Sequence, residues 1–391
     1  MNDKSVEERI KEAREKQFYI GLYGMSTWGN NCGFLFADWL NLKVDFVADK
    51  DKRKLSAYEG KCDLLSQQEL LLLEKDVLLL LFIGQYLEEE VLEELNINSH
   101  IHIITLGELT NLDIIVERFY DVSHIRNYAK ERERKELPVI SDIERAKKDR
   151  IAIYTCVVGE YDVVKEPQYI EENCDYYLIS DREPEEGSVY QWINVYDIVP
   201  NKDYTPAEMN RYCKMHSYDI FNEYRYAIYV DGSITIINGI AKYIDDIGEY
   251  GLAMHKHSFI DCIYVEGIRM VGGGVCDYEE VKRQMTEYLL EGMPRNYGQF
   301  KGGLIVFDHN NAIGQYILKE WFKEYMEKAK RDQFSFSYVL WKNGYSVSGI
   351  GSIANGISCK KNQDIILTHI HATKRNRKKL NVKNGRIIKS E

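Results

Sequence analysis

Strand-sized apolar runs, spaced far enough apart for helices between them, are the feature that most limits how this chain can fold. In the first half such runs begin at Phe18, Val77 and Ile101. Apolar strands that alternate with helix-length stretches predict β-α-β units and a parallel sheet. The longest run, Val77 to Gly84, is far shorter than the roughly 20 residues that cross a bilayer.

The glycines that follow the first run do not complete a GxGxxG fingerprint. Gly24 and Gly29 are placed to cradle a phosphate, and Asp49, at the end of the next strand, is placed to face a ribose. Alternatively, these glycines only let strand and helix pack closely. We therefore predict a small Rossmann-like domain over residues 1–126, with a degenerate fingerprint.

Length, charge and cysteine usage narrow the class of protein. The 391 residues are enough for two domains. The net charge of −11 argues against general nucleic-acid binding, so no nucleic-acid partner is expected. The eight cysteines form no CxxC pair, which favours buried free thiols. The charged stretch Met1–Lys16 does not resemble a secretory signal, and we expect a cytoplasmic protein.

Charge also indicates where the predicted domains end and where a linker and a tail begin. Residues 127–150 are dense in charge and contain Pro138, which predicts a linker, helical or partly extended. The tail, residues 374–391, is basic within an acidic protein. Such a tail is attracted to anionic lipid by about 1 kcal/mol per cation, which predicts peripheral contact with the inner face of the cell membrane. A frayed, solvated end is the alternative.

The second half, residues 151–373, begins with two strands that end in polar loops. Thr155, Gly159 and Tyr161 follow the first of them, and Asp181 ends the second. Ligands collect where the strands of an open α/β sheet end. Tyr161 is placed to stack on a nucleobase, and Asp181 to bond its ribose or imide edge.

The segment YAIYVDGSITI places Asp231 and Ser233 at the mouth of a strand. Transferases that use sugar nucleotides carry an Asp-x-Asp element at such a strand end, where it holds a divalent cation against the donor diphosphate. Carboxylates suit Mg²⁺ or Mn²⁺. Ser233 is a weaker ligand than a second carboxylate. A tight turn, to which Asp231 and Gly232 are suited, is the other interpretation.

Other charged residues fit the same chemistry. Arg211 and Lys214 are three positions apart and share a helix face, so they can clamp a diphosphate. Asp332 precedes an aromatic, helix-like run and is either a base for the acceptor hydroxyl or a helix cap. A late histidine, His369 or His371, is expected to complete the cation shell. Lys374 is expected to touch the leaving diphosphate.

From Ile151 to about Lys342 the chain resembles a family of bacterial and plant glycosyltransferase-like proteins, formerly of unknown function and related to GT-A nucleotide-sugar transferases. The segments that carry the resemblance, in order, are YTCVVGEYD, the strand ending in ISD, NRYCKMH, YAIYVDGSITI, MHKHSFIDCIYVE, YGQFKGGLIVFDHNN and RDQFSFSYVLW. Together they cover about half of the chain. Two positions depart from the family pattern: Lys256 stands where proline is common, and Ser233 stands where a second acid is usual.

The resemblance implies a fold, a reaction and a site. The fold is α/β: a GT-A-type nucleotide-diphospho-sugar transferase domain preceded by a small Rossmann-like parallel-sheet domain. The implied donor site consists of Thr155, Asp181, Arg211, Lys214 and Asp231. The implied acceptor wall consists of His255, Gly303, His309 and Asp332.

We therefore expect a glycosyltransferase, of hexosyltransferase type, that uses a nucleotide-sugar donor and Mn²⁺ or Mg²⁺. Its acceptor would be a glycan or a lipid-linked glycan, in the synthesis of a cell-surface polysaccharide. One alternative is a catalytically inactive nucleotide- or glycan-binding protein, which Ser233 favours. Another is an NAD-dependent sugar-modifying enzyme that works through the N-terminal domain.

Overall fold

The computed structural model describes residues 4–123, 129–137, 143–159, 162–354, 356, 362–368, 378–383 and 385–388. The chain forms two compact units. The first consists of residues 1–127, 264–290 and 376–391, and the second of residues 128–263 and 291–375.

The first part of the chain alternates strands and helices, with a π-helical turn at Gly29–Gly33. Its elements are α1 (Val6–Glu15), β1 (Tyr19–Tyr23), α2 (Phe34–Trp39), β2 (Phe46–Asp49), β3 (Asp63–Ser66), α3 (Gln67–Leu71), β4 (Val77–Leu81), α4 (Gln85–Leu95), β5 (Ile101–Thr105), α5 (Leu106–Asn111) and α6 (Asp113–Tyr120). Within the described residues the strands form a five-stranded parallel sheet in the order β3-β2-β1-β4-β5. Every residue of β4 is buried, which explains its continuous apolar run.

The second part of the chain contains a larger sheet and two separate pairs of short strands. The strands of this part are β6 (Ile151–Val157), β7 (Cys174–Ser180), β8 (Gln191–Asn194), β9 (Tyr226–Val230), β10 (Ile234–Ile236), β11 (Leu252–Lys256), β12 (Phe300–Asp308), β13 (Gly351–Ser352), β14 (Ile365–Leu367), β15 (Val382–Lys383) and β16 (Arg386–Ile387), of which β10 pairs with β14 and β15 with β16. Its helices are α7 (Val195–Ile198), α8 (Pro206–Met215), α9 (Ser217–Ile220), α10 (Ile263–Gly272), α11 (Tyr278–Glu291), α12 (Ala312–Glu327) and α13 (Asp332–Lys342). A 3-10 helix covers Ala241–Asp246.

Strand direction decides which side chains meet in the second unit. Among the described residues, seven strands pair in the order β13-β11-β12-β9-β6-β7-β8. β12 is antiparallel to both of its neighbours, and the other pairs are parallel. The carboxyl ends of β6, β7, β9 and β11 therefore lie beside the amino end of β12. We call this side of the sheet the upper edge.

The two units are not two consecutive halves of the sequence. The stretch 264–290, which carries most of α10 and α11, belongs to the first unit although it lies far along the chain. The described part of the charged stretch 127–150 belongs to the second unit, where Trp341 Nε1 donates to the Lys130 carbonyl at 2.9 Å and Tyr345 Oη donates to the Lys135 carbonyl at 2.8 Å. Residues 129–137 contain no helix, and the linker role of the stretch stays a prediction.

The predicted α/β fold class is confirmed: a five-stranded parallel sheet comes first, and a unit built on a mixed seven-stranded sheet follows. Among the described residues, none of the helices combines the length and apolar character needed to cross a membrane.

Candidate functional site

Helix α8 holds the two cations that the sequence pattern placed on one face. The helix begins where Thr205 and Glu208 form a capping box, with Pro206 in the first turn. Arg211 and Lys214 follow one turn apart. The Lys214 side chain is only 2% exposed, whereas that of Arg211 is 27% exposed.

Both cations meet one carboxylate. Asp332 Oδ2 lies 2.6 Å from Lys214 Nζ and 3.1 Å from Arg211 Nε. Trp321 Nε1 donates to the Asp332 main-chain carbonyl at 2.8 Å, which anchors the start of α13. Burial alone would raise the pKa of Asp332, but the charges of Arg211 and Lys214 hold it well below its usual range.

This environment does not favour the predicted role of Asp332 as a base. A general base works best when its pKa lies near the operating pH, and a carboxylate shared by two cations accepts a proton poorly. Burial lowers the pKa of Lys214 although Asp332 opposes that effect. Arg211 has its pKa raised by Asp332 despite its partial burial. The arrangement is suited to holding charges in place.

Asp231 lies at the upper edge, directly after β9, as predicted. Its N–H donates to the Gly303 carbonyl at 2.8 Å, so Gly303, predicted on the acceptor side, is its neighbour across the sheet. Asp231 is within electrostatic reach of Arg211 and Lys214. The central strand end and the buried cation pair therefore form one cluster.

The turn after Asp231 is closely packed. The Ser233 carbonyl accepts from Lys165 Nζ at 3.0 Å and from the Thr368 N–H at 2.8 Å. A Cβ atom on Gly232 would lie 2.8 Å from Val157 Cγ2 and 3.5 Å from Asp162 Oδ2. Asp162 thus brings a second carboxylate beside this turn. The sequence showed Asp162 in a loop but gave no sign that it would lie here.

The chemistry of the two carboxylates is of the kind that a hard divalent cation prefers. Asp231 and Asp162 supply carboxylate oxygens, and Mg²⁺ or Mn²⁺ is often held by one or two carboxylates together with phosphate and water. Within the described residues no group of three metal-ligating side chains occurs. Such an ion would therefore share its coordination with a phosphorylated substrate.

The two strand ends predicted to bind a nucleoside do meet. The Gly159 N–H donates to Asp181 Oδ2 at 3.2 Å, which joins the ends of β6 and β7. Gly159 has φ +70, and a Cβ atom there would lie 2.8 Å from Pro206, so this loop requires glycine. The Thr155 hydroxyl is buried and makes no hydrogen bond with any described residue. A buried unpaired hydroxyl points to a ligand or water partner.

The two histidines predicted on the acceptor side lie far apart. His255 lies at the carboxyl end of β11, fully buried, with its ring edge-on to Tyr243 at 6.5 Å between centroids. Burial lowers its pKa to about 4. Its ring nitrogens lie near the Ile353 backbone but make no well-formed hydrogen bond within the described chain.

His309 lies at the opposite end of the strands from Asp231. It follows the carboxyl end of β12, where Asp308 pairs with Tyr226 at the start of β9. Its Nε2 is 3.0 Å from Ser217 Oγ and its Nδ1 is 2.9 Å from the Tyr224 carbonyl. Burial lowers its pKa to about 4. The structure does not bring His309 to the upper edge.

Four predicted or alternative site residues lie outside the described residues: Tyr161, His369, His371 and Lys374. The described residues that precede the last three lie beside the turn that follows Asp231. β14 pairs antiparallel with β10, and Thr368 is bonded to Ser233. The predicted contribution of His371 to a metal shell stays a prediction.

In the first unit, the strand ends at the β1–β4 switch point are covered by helix α10. Asn31, in the π-helical turn after β1, donates through Nδ2 to the Gly272 carbonyl at 2.9 Å. A Cβ atom on Gly272 would lie 2.2 Å from the Trp28 ring. Glu88, in the first turn of α4, is within electrostatic reach of Arg269 on α10. The crevice where a dinucleotide would bind is therefore filled.

The glycines at this crevice serve close packing. A Cβ atom on Gly24 would lie 2.7 Å from the Phe82 carbonyl oxygen, and one on Gly29 would lie 2.6 Å from the Gly24 carbonyl oxygen. Asp49 Oδ1 accepts from the Asp51 N–H at 3.0 Å and is 3.3 Å from Lys54 Nζ. These contacts favour the packing interpretation of the glycines over the phosphate cradle.

Comparison with known proteins gives one family match. A family model described as "TOD1/MUCI70, glycosyltransferase-like domain" matches residues 139–349, more than half of the chain. None of the curated proteins compared matches this sequence.

Solved structures similar to the chain include three glycosyltransferases. WbbM, described as a bifunctional enzyme in its apo form, is 12% identical over 58% of this chain and 40% of its own, with a TM-score of 0.34. The galactosyltransferase LgtC, in complex with donor and acceptor sugar analogues, is 12% identical over 50% of this chain and 72% of its own, with a TM-score of 0.29. Mouse xyloside xylosyltransferase 1 is 6% identical over 84% of this chain and 81% of its own, with a TM-score of 0.22.

Proposed function

Because the chain belongs to the TOD1/MUCI70 glycosyltransferase-like family, we propose that it transfers a sugar from a nucleotide-diphosphate donor to a glycan or lipid-linked acceptor. The observation that carries this proposal is the meeting of three groups at the upper edge. They are the Asp231 strand end, the Arg211–Asp332–Lys214 cluster and the Gly159–Asp181 contact.

Each group has a role in this reaction. Sugar transfer breaks the bond between the anomeric carbon and a diphosphate oxygen, and the electron pair leaves with the diphosphate. The acceptor oxygen forms the new bond, and its proton passes to solvent or to the departing diphosphate. Stabilising the developing negative charge is commonly the largest catalytic contribution. Arg211, partly exposed beside Asp231, is placed to supply it.

We propose that the nucleoside lies over Gly159 and Asp181, where the unpaired Thr155 hydroxyl is available to it. Asp231 and Asp162 would hold a divalent cation, Mn²⁺ or Mg²⁺, with His371 as the predicted additional ligand. Bound there, the cation would neutralise diphosphate charge. Gly303 and His255 remain the proposed acceptor-side residues.

The finer parts of the function are proposals with less direct support. We propose that the transferred sugar is a hexose and that the product belongs to a cell-surface polysaccharide. A basic tail from Lys374 onward would fit an acceptor at a membrane surface, because cations are attracted to anionic lipid.

The test is a melting-temperature screen of UDP, GDP, ADP, CDP and dTDP and their sugars, with and without Mn²⁺, on wild type, Asp231→Asn and Asp203→Asn. A ligand that binds the folded state raises the melting temperature. We expect one nucleotide to stabilise the wild type, more strongly with Mn²⁺. Asp231→Asn should lose the Mn²⁺-dependent part, and the exposed control Asp203→Asn should keep it. Equal responses of the two variants would contradict the donor site.

A catalytically inactive binding protein is the second candidate, and Ser233 favours it. Ser233 is buried in the turn, and its carbonyl accepts hydrogen bonds from Lys165 and Thr368. Because its side chain is a hydroxyl, this position adds no carboxylate to the proposed cation site. This candidate predicts a nucleotide-dependent rise in melting temperature without donor hydrolysis or transfer. Release of nucleoside diphosphate from the stabilising sugar nucleotide distinguishes the two.

A further inference from the structure

We propose that Lys214 is a positioning residue that holds Asp332 and, through it, the guanidinium of Arg211, and that Gly302 is required because it leaves space for the Lys214 ammonium. This inference rests on the proposed function, in which Arg211 faces the donor diphosphate. It assigns Lys214 a different role from the direct diphosphate contact predicted from the sequence.

Exposure separates the two cations. The side chains of Lys214 and Asp332 are 2% and 7% exposed, whereas that of Arg211 is 27% exposed. Arg211 is therefore the more accessible of the two cations to a diphosphate that arrives from solvent. Because one carboxylate oxygen contacts both cations, the position of Lys214 affects where Arg211 is held.

The Lys214 ammonium lies in a socket made by residues from four elements. Asp332 supplies the anion at 2.6 Å from Nζ. The ring centroids of Tyr229 and Trp321 lie 5.4 Å and 5.5 Å from Nζ, within range for cation–π attraction. Trp321 also bonds the Asp332 carbonyl, so one side chain supports both partners of the ion pair.

Gly302 forms the remaining wall of this socket. A Cβ atom there would lie 2.7 Å from Lys214 Nζ, 3.2 Å from Cε and 3.6 Å from the Trp321 ring. The first of these distances is too short for any real Cβ contact. Gly302 lies where the β11–β12 pairing jumps from Met254–Ile305 to His255–Lys301, so the strand bulges there. We expect a methyl group at residue 302 to displace the ammonium, because the ammonium is the end of a flexible side chain and moves more easily than the strand backbone.

The expected consequence is loss of diphosphate affinity with nucleoside affinity retained. A displaced Lys214 leaves Asp332 paired with Arg211 alone, so the carboxylate and the guanidinium move together away from their present positions. A positioning effect of this kind is specific to the phosphate groups. General damage to the fold would weaken nucleoside and nucleotide binding alike.

The experiment compares wild type, Gly302→Ala, Lys214→Met, the double variant and the control Gly84→Ala, whose added Cβ would meet nothing within 4 Å. Calorimetry with Mn²⁺ measures dissociation constants for inorganic pyrophosphate, for the nucleoside diphosphate that best stabilises wild type, and for its nucleoside. We expect each single variant to bind both diphosphates roughly tenfold more weakly, the lower end of what loss of an outer-shell positioning group costs at metal sites. Nucleoside binding and the Gly84→Ala protein should be unchanged.

The double variant provides the decisive comparison. If Gly302 acts through Lys214, the alanine has nothing left to displace in the Lys214→Met background, and the double variant should match Lys214→Met. The proposal would be overturned if the double variant lost affinity by the product of the two single-variant losses. It would also be overturned if Gly302→Ala bound diphosphate as wild type does. If Gly302→Ala does not fold, Lys214→Met alone tests the positioning role. Diphosphate affinity equal to that of wild type in Lys214→Met would refute that role.

Failure of the proposed function would look different. In that case wild type would bind neither pyrophosphate nor any nucleoside diphosphate. The melting temperatures of wild type, the two single variants and the double variant would then test the contact between Gly302 and Lys214. Shifts in Gly302→Ala and Lys214→Met that do not add would support the Gly302–Lys214 contact. Additive shifts would overturn it.

Discussion

Replacing Asp332 by asparagine tests the charge cluster most directly, because the change keeps the shape and removes the charge. The carboxylate lies 2.6 Å from Lys214 Nζ and 3.1 Å from Arg211 Nε. With an effective dielectric constant of about 20, Coulomb's law gives roughly 6 and 5 kcal/mol for these two distances. Desolvation of the three groups offsets most of that attraction.

The net loss in Asp332→Asn should nevertheless be large, because the fully buried Lys214 and the partly buried Arg211 both lose their anion. Breaking a buried ion pair from one side costs about 3 to 5 kcal/mol of unfolding free energy. For a unit of this size such a loss corresponds to a fall in melting temperature on the order of 10 °C. Adding Lys214→Met should recover part of the loss, since one of the unpaired charges is then removed.

Guanidinium unfolding followed by tryptophan fluorescence is the suitable assay, because Trp321 bonds the Asp332 carbonyl and reports on this region. Asp203→Asn is the matched control, exposed and expected to change the unfolding free energy by no more than about 0.5 kcal/mol. A loss below about 1 kcal/mol in Asp332→Asn, or a further loss on adding Lys214→Met, would refute the reasoning.

Two further predictions concern acid stability and the first unit. The pKa of His255 is lowered to about 4, so between pH 6.5 and 4 the unfolded chain binds a proton that the folded chain does not, and stability falls as the pH falls. His255→Phe, which keeps the edge-on contact with Tyr243, should reduce this pH dependence of the unfolding free energy by about 1.4 kcal/mol per pH unit; an unchanged slope would contradict the buried neutral histidine. NAD at millimolar concentration should leave the melting temperature unchanged, because α10 covers the β1–β4 crevice; a rise of several degrees would revive the NAD-dependent alternative.

The sequence was informative wherever the determining interactions are local. The apolar run at Val77 predicted a strand, and β4 begins there. The three-residue spacing of Arg211 and Lys214 predicted one helix face, and both reach the same carboxylate. Asp231 was expected at a strand end because turn residues follow an apolar run, and it lies directly after β9.

The rest depends on contacts between distant positions. Asp332 meets Lys214 across 118 residues, and no local pattern encodes such a pair. The family resemblance placed His309 in the acceptor wall, but β12 runs antiparallel to β9, so the end of β12 that His309 follows lies away from Asp231. An apolar run predicts a strand and says nothing about its direction. The sequence also does not indicate that residues 264–290 belong to the first unit, because this placement depends on contacts with residues that are distant in the chain.

The charge balance at the upper edge bears on the cofactor. Arg211 and Lys214 are matched by Asp231 and Asp332, so these four side chains carry no net charge, and Asp162 adds one negative charge beside them. A donor diphosphate would bring several more negative charges to the same place. Lys165, whose Nζ lies 3.0 Å from the Ser233 carbonyl, offsets Asp162, so the described side chains named here leave the charge of the diphosphate unmatched. A divalent cation would be one source of further positive charge, and Lys374, in its predicted role, would be another. If the basic segment supplied that charge, Mn²⁺ would add little to the stabilisation by a nucleotide, whereas the carboxylates beside the strand end favour dependence on the metal.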